Sequence, residues 1–302
     1  MKGRQVVKQP GFRMAGADGR LVVAVPSKGR MAQTSLELLE AAGLAFELGA
    51  RSLHVPCSNA PVELLLVRPH DIPEYVQDGV VDAGITGANL IAETGSQVAT
   101  LLELGFGRCT LEAAVPEESA LRSVADLDGL RVATAYPVTT KSALEQAGVT
   151  AELVLLSGSV EAAPRLGLSD AVVDLVSTGS TAAANGLRRI GTLLESQAVL
   201  IGSKLDLGER AEMLERLEMM LRGVIAARRR RYLMLNAPAD KVAELEALLP
   251  GMGAPSVVEL AEKGQLALHA AVAEEEIWDL LPKLKAAGAS SILVMHLERV
   301  VP

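Results

Sequence analysis

Short apolar runs alternate with amphipathic stretches along most of the chain. The first run, Leu21–Val25, is closed by Pro26, and an amphipathic helix is predicted over Met31–Ala42, with Gly43 as its stop. Further runs typical of buried strands follow at Glu63–Val67, Val81–Ile85, Val98–Glu103, Leu111–Val115, Leu130–Thr134, Glu152–Leu156 and Ala171–Val176. Because helical stretches separate most of these runs, the pattern predicts an α/β fold with largely parallel strands.

The pattern changes after a long predicted helix, Leu207–Ala227, which ends in the arginine run 228–231. The run is interpreted as a solvated helix end, where cations complement the helix dipole; the alternative is a contact for phosphate or for an acidic neighbouring subunit. Strands are then predicted at Tyr232–Asn236, Ser256–Ala261, Gln265–Val272 and Ser291–Leu297, with helices at Ala239–Leu249 and Glu274–Ala287. This β-α-β-β-α-β order is typical of a ferredoxin-like domain, which by itself indicates no function.

Composition excludes several classes of function. The 302 residues carry a net charge of −8 and are only 2% aromatic, so neither a broad cationic surface nor aromatic stacking platforms for nucleic acid are expected. No apolar run approaches the roughly 18 residues of a membrane span. Two cysteines are too few for a disulfide framework. Residues 1–20 lack the apolar core of a secretory signal and are predicted to be a flexible tail, and we expect a cytoplasmic protein with neither a nucleic-acid nor a membrane partner.

The strongest local signal lies where the apolar run 171–176 ends. Small hydroxyl residues and a glycine at a strand-to-helix turn let backbone N–H groups converge on an anion, and the helix N-terminus adds positive potential. The residues concerned are Ser177, Thr178, Gly179, Ser180 and Thr181. The alternative is an ordinary N-capped helix. Asp174, just upstream, is suited to accept hydrogen bonds from a sugar diol, or else bonds to the turn itself.

Three weaker segments support the first. Lys28 and Arg30 follow the first strand and would suit a polyphosphate, although a solvated loop is the alternative. Gly84 and Gly87 follow Asp82 and would allow a ligand to approach the backbone closely. Glu161 lies in the first turn of a predicted helix, where an acidic residue is also an ordinary dipole partner. Because ligands bind at the carboxyl ends of strands in open α/β sheets, these segments favour one common site.

Taken in order, the segments resemble the ATP phosphoribosyltransferase family, whose enzymes begin histidine biosynthesis. The family signature starts at Glu161, and it is matched at Gly167, Ser169, Val172, Asp174, Leu175, Thr178, Gly179 and Thr181. Ala182 departs from the Leu or Met that is usual at that position. The segment 232–297 resembles the regulatory domain of the long form of the family.

The resemblance implies a two-lobed fold like that of periplasmic binding proteins, followed by the ferredoxin-like domain. We expect catalytic domain I over 21–112 with 198–227, catalytic domain II over 113–197, and a regulatory domain over 228–302. The resemblance also implies that the enzyme joins ATP to phosphoribosyl pyrophosphate and needs Mg²⁺. It further implies a homohexamer, with exchange between dimer and hexamer, and inhibition by histidine. The alternative is a cytosolic small-molecule-binding or histidine-sensing protein without catalysis.

The family resemblance also implies a role for each site residue. The turn 177–181 would hold the 5-phosphate, Asp174 the ribose hydroxyls, and Lys28 and Arg30 the pyrophosphate. Glu161 would accept the proton that the adduct loses. The purine nucleotide would contact Asp82, Gly84, Gly87 and Tyr136, and histidine would contact Asn236, Ser256 and Ser291, although a role as cap or edge residue is the favoured explanation for each of these last three.

Overall fold

The computed structural model describes residues 19–49, 52–176, 185–249 and 253–301. The chain divides into two compact units, 1–40 with 44–215 and 41–43 with 216–302. None of the helices in the described ranges has the length and apolar character needed to cross a bilayer.

The strands of the first unit are β1 (Leu21–Pro26), β2 (His54–Pro56), β3 (Val62–Val67), β4 (Ala83–Gly87), β5 (Ala99–Glu103), β6 (Cys109–Pro116), β7 (Arg131–Thr134), β8 (Glu152–Leu155), β9 (Ala171–Val176), β10 (Leu187–Ser196) and β11 (Ala198–Gly202). Its helices are α1 (Gly29–Ala41), α2 (Ile72–Gln77), α3 (Ala88–Thr94) and α4 (Pro137–Gln146), and a 3₁₀ turn covers Val160–Ala162. Helix α5 (Arg210–Arg228) continues from the first unit into the second.

Two mixed sheets organise the described part of the first unit. Lobe I, as we call the first sheet with its helices, has the strand order β2-β3-β1-β4-β11-β5, and lobe II has the order β10-β6-β9-β7-β8. The predicted α/β class is confirmed, but the expectation of largely parallel strands is wrong. The chain passes between the lobes through 104–108 and again through Gln197, so β6 and β11 enter their sheets directly from the opposite lobe and run antiparallel to both neighbours.

The two lobes repeat one topology. The order β3-β1-β4-β11-β5 of lobe I corresponds to β8-β7-β9-β6-β10 of lobe II. An aspartate precedes the third strand of each repeat: Asp82 accepts the N–H of Val22 at 2.8 Å, and Asp170 accepts the N–H of Arg131 at 3.0 Å. The register is also equivalent, since the next residues pair as Val23 with Ala83 and as Val132 with Ala171. Asp82 and Asp170 are therefore matching positions in the two lobes.

The second unit contains the predicted ferredoxin-like domain. Its elements are β12 (Arg230–Pro238), α6 (Val242–Leu248), β13 (Ser256–Glu259), β14 (Gln265–Ala273), α7 (Ile277–Ala286) and β15 (Ser290–His296). The sheet order is β13-β14-β12-β15, with antiparallel neighbours. Leucines of the helices, among them Leu245 and Leu284, pack on the inward residues of the strands, among them Leu235 and Leu268.

The arginine run 228–231 is not simply a solvated helix end. Helix α5 ends at Arg228, and β12 begins two residues later at Arg230. The side chain of Arg231 is largely buried and is paired with Glu274. Arg230 and Arg231 therefore belong to the sheet, where successive side chains of a strand point to opposite faces.

Candidate active site

A cavity of about 600 Å³ lies between the two lobes. Ala88, at the start of α3, and Val176, at the end of β9, line it together with Arg108, Cys109 and Ser196. The carboxyl ends of β4 and β9 therefore meet at this cavity, as expected for the ligand site of an open α/β sheet. Its volume is within the usual range for a small-molecule site.

Asp174 lies on β9, two residues before the cavity wall at Val176. Burial raises the pKa of the Asp174 carboxyl, the N–H of Leu175 at 2.8 Å opposes that rise, and the charge of Glu161 adds to it. Asp174 and Glu161 therefore lie close enough to interact. The residues predicted to bind phosphate, Ser177, Thr178, Gly179, Ser180 and Thr181, lie outside the described residues, immediately after β9.

Glu112 is a buried carboxylate near this site that the sequence reasoning missed. It lies on β6 directly opposite Asp174 of β9, it is buried, and it accepts a hydrogen bond from the Thr192 hydroxyl at 2.9 Å. The available signal was a charged residue inside the apolar run 111–115, because a carboxylate is rarely buried without a partner.

Tyr136 also reaches this part of the molecule. It is the N-cap residue of α4, but its side chain makes no capping hydrogen bond. Burial raises the pKa of the Tyr136 phenol, and the charges of Asp174, Cys109 and Glu93 add to the rise. The ring therefore has both Asp174 of lobe II and the cavity-lining Cys109 as electrostatic neighbours.

The turn between β1 and α1 carries the two predicted cations. Lys28 is exposed in this turn, and Gly29 adopts the positive φ of 81° that begins the helix. Arg30 belongs to the first turn of α1, and its side chain lies outside the described part of the chain.

Two residues expected to contact the nucleotide lie elsewhere. Strand β4 begins at Ala83, two residues later than the predicted strand, so Asp82 lies at its amino end and not at the ligand-binding end. The Asp82 carboxylate accepts the N–H of Val22 and is paired with Arg210, and burial raises its pKa although both partners oppose the rise. These contacts give Asp82 a structural role in lobe I, and its contact with the nucleotide stays a prediction.

Gly84 also has a packing role. A Cβ atom at Gly84 would lie 2.4 Å from the Ile72 Cγ2 atom of α2, so the glycine allows helix and sheet to approach. The expected ligand contact of Gly84 stays a prediction. Gly87 is different, because it ends β4 directly before the cavity-lining Ala88. It remains at the ligand-binding edge.

The three residues predicted to contact histidine lie in the second unit. Asn236 and Ser256 are on the sheet face opposite the core, on either side of β14. Ser291 has a φ of 48°, beside an irregularity in the pairing of β12 with β15. The same face carries a pair that the sequence reasoning missed, in which the Tyr232 hydroxyl lies 3.0 Å from Nδ1 of His269.

Metal-ligating side chains do not form a cage in the described part of the chain. No group of three or more His, Cys, Asp or Glu side chains is arranged there to hold a metal ion. Two carboxylates are available: Asp174, two residues before the cavity-lining Val176, and Glu161, whose charge contributes to the raised pKa of Asp174. This donor set suits a metal that arrives on a substrate phosphate, because Mg²⁺ is commonly bound by one or two carboxylates together with substrate phosphates and water.

Two family models match the chain. The model for "HisG: ATP phosphoribosyltransferase" matches residues 68–223, and that for "HisG, C-terminal domain" matches residues 227–299. An ATP phosphoribosyltransferase of Maricaulis maris is 42% identical over 290 residues, covering 93% of this chain and 99% of the relative. One of Methanosarcina acetivorans is 39% identical over 287 residues, with the same coverage of 93% and 99%.

A solved structure shows the same likeness. It is the "ATP phosphoribosyl transferase (HisG:HisZ) complex from Thermotoga maritima", with a TM-score of 0.57 and 27% identity. The match covers 67% of this chain and 98% of that one.

Proposed function

Since this chain belongs to the ATP phosphoribosyltransferase family, the transferases that begin histidine biosynthesis, we propose that its reaction takes place in the cavity between lobes I and II. N1 of adenine attacks C1 of phosphoribosyl pyrophosphate, the C1–O bond breaks, and pyrophosphate leaves. The observation that supports this placement is β9, which brings Val176 to the cavity wall, two residues after Asp174 and directly before the segment 177–181.

The phosphoribosyl donor is assigned to lobe II. Hydroxyl groups and N–H groups of the turn 177–181 would hold its 5-phosphate. The carboxylate of Asp174 would hold ribose hydroxyls and stabilise the positive charge that develops on the ribose as the C1–O bond breaks. Its partial burial supports this role, because a charge acts more strongly where water is excluded.

The pyrophosphate and ATP are assigned to both lobes. Lys28 and Arg30 would bind the leaving pyrophosphate as cations. Tyr136 would stack on adenine beside Gly87, which ends β4 at the cavity edge. Adenine N1 needs no base for its attack, but the adduct must lose a proton from the exocyclic nitrogen, and Glu161 would accept it.

Enzymes of this family need a divalent metal, and we assign Mg²⁺ to this role. When bound with the donor, the ion neutralises negative charge on the leaving pyrophosphate. Asp174 and Glu161 are the carboxylates best placed to hold it.

The remaining proposals concern regulation and assembly. Lobes I and II, with the boundaries expected from sequence, would be the catalytic domains, and the ferredoxin-like domain would be regulatory. Histidine would inhibit by binding near Asn236, Ser256 and Ser291. A cytoplasmic homohexamer that exchanges with a dimer is the expected form.

The test is direct. ATP, phosphoribosyl pyrophosphate, Mg²⁺ and pyrophosphatase are incubated with the protein, and the absorbance of the adduct is followed with and without histidine. We expect product from the wild-type protein, a raised KM for the ribosyl donor in Thr178→Val, and a lowered kcat in Glu161→Gln. Absence of product with retained histidine binding would instead indicate a sensor without catalysis.

A further inference from the structure

The helix that carries Tyr136 has no N-cap of its own. Tyr136 provides no capping hydrogen bond to α4, and the first helical residue, Pro137, has no N–H. The N–H groups of Val138 and Thr139 point out of the helix and need acceptors, because the first turn of a helix has no internal partners for them.

A carboxylate of the opposite lobe supplies these acceptors. Glu93 of α3 accepts the N–H of Val138 at 3.1 Å with Oε1, and the N–H of Thr139 at 2.9 Å with Oε2. The Thr139 hydroxyl also donates to Oε2 at 2.8 Å. Only 8% of Glu93 is exposed, so these charge-assisted bonds at a helix N-terminus are shielded from water.

The other end of α3 is attached to lobe II as well. The N–H of Asn89 donates to the Ser196 hydroxyl at 2.9 Å, and that hydroxyl donates to the Asn89 side-chain oxygen at 2.9 Å. Ser196 ends β10 and lines the cavity, as does Ala88 at the start of α3. Both ends of α3 are therefore hydrogen-bonded to lobe II, and Glu93 is the charged residue among these contacts.

We propose that Glu93 is a positioning residue for nucleotide binding: by capping α4 from the opposite lobe, it holds Tyr136 at the distance from lobe I that ATP requires. The inference rests on the proposed function, in which Tyr136 contacts adenine. Glu93 acts only through α4. The segment 177–181, which is proposed to bind the ribosyl donor, follows β9 and not α4. Binding of the donor should therefore depend much less on the Glu93 carboxylate.

A simple helix cap and a positioning residue are distinguishable. Glu93→Ala removes the cap and the link between the lobes together. Adding Thr139→Glu to that variant restores an acidic group in the first turn of α4, which stabilises the helix from within, but it does not restore the link. Glu93→Gln keeps the shape and one oxygen acceptor. Glu37→Ala, at an exposed acidic position on α1, is the matched control.

The experiment measures Tm, the Kd for ATP by calorimetry, and KM for both substrates in each variant. Glu93→Ala removes all three hydrogen bonds to α4. We expect it to raise the Kd and KM for ATP about tenfold or more, the change that even one charge-assisted hydrogen bond accounts for, with the donor KM nearly unchanged. Glu93→Gln should be intermediate, and Glu37→Ala should match the wild type. In the Glu93→Ala/Thr139→Glu double variant, Tm should recover while the ATP Kd stays raised.

Two results would overturn the proposal. One is recovery of the ATP Kd together with Tm in the double variant, which would make Glu93 a helix cap only. The other is a wild-type Kd for ATP in Glu93→Ala. A wild-type protein that binds ATP but forms no adduct would refute the proposed reaction instead, and the ATP Kd values would still decide the role of Glu93.

Discussion

The repeated aspartates of the two lobes allow a matched test of what a buried ion pair contributes to stability. Asp82 and Asp170 occupy equivalent positions and each accepts a backbone N–H from the adjacent strand. Their surroundings differ. The side chains of Asp82 and Arg210 are 3% and 23% exposed, whereas those of Asp170 and Arg131 are 37% and 43% exposed. Replacing each aspartate by alanine therefore removes a backbone hydrogen bond and an arginine pair from two different environments.

The cost of Asp82→Ala has two parts. The N–H of Val22 is left without a partner in the core, which costs about 1–3 kcal/mol. Arg210 loses its contact with the buried carboxylate of Asp82, and breaking a buried pair from one side costs about 3–5 kcal/mol in all. Because Arg210 keeps some contact with water, we expect a total of about 3–4 kcal/mol.

The cost of Asp170→Ala should be smaller. An exposed ion pair contributes about 0–1 kcal/mol after screening by solvent, and the backbone hydrogen bond adds about 1 kcal/mol. Hydrogen bonds from Arg131 lower the pKa of the Asp170 carboxyl. Its contribution is therefore present at neutral pH, and it is lost as the pH falls below the ordinary carboxyl value of about 4.

The assay is urea denaturation followed by far-UV circular dichroism at pH 7. Trp278, the single tryptophan of the chain, lies in the second unit, so its fluorescence reports separately on a part of the molecule that neither substitution touches. We expect the loss of stability to be at least about 1 kcal/mol greater for Asp82→Ala. Equal losses, or a greater loss for Asp170→Ala, would refute the reasoning from burial.

Three further outcomes are expected. Gly84→Ala should destabilise the protein by about 1–3 kcal/mol in the same denaturation assay, because the new Cβ would lie 2.4 Å from the Ile72 side chain; an unchanged midpoint would contradict the packing role. Burial raises the pKa of Asp174, so the wild-type pH–rate profile should fall on its acid side above the ordinary carboxyl value of about 4, and Asp174→Asn should be slow and lack this limb. Burial raises the pKa of both thiols, that of Cys57 to about 11, but Cys57 is buried and Cys109 is only partly buried at the cavity wall. A thiol reagent at neutral pH should therefore modify Cys109 first, more slowly with ATP present; Cys57 should react only after denaturation.

The sequence pattern predicted one largely apolar strand with its observed bounds, and it predicted the element order of the second unit. The predicted strand over 171–176 has the same bounds in the structure, and the ferredoxin-like order of the second unit is confirmed. The mixed sheets were not predicted, because an apolar run indicates burial but not direction. The reversed strand β11, which the sequence reasoning missed, is as buried as β1 and β4, the parallel strands of the same sheet, and its direction follows only from where the chain returns to lobe I.

Site residues were harder to predict when their role depends on distant partners. A shift of two residues in the start of β4 moves Asp82 from the expected ligand edge to a buried ion pair with Arg210, 128 positions away. Glu93 belongs to no sequence motif, because the N–H group that it caps is that of Val138, 45 positions further along the chain. Local patterns predict an anion-binding segment at 177–181, which lies outside the described residues, but they cannot identify contacts that the tertiary fold creates.

The position of β11 has a consequence for synthesis of the chain. All described strands of lobe II lie between Cys109 and Ser196, whereas lobe I needs Ala198–Gly202 to fill the gap between β4 and β5. During translation, lobe II can therefore complete its sheet while lobe I still presents two unpaired strand edges. Such edges favour pairing with other chains. The nascent protein is thus expected to be most prone to aggregation, and to need chaperones most, just before residue 202 leaves the ribosome.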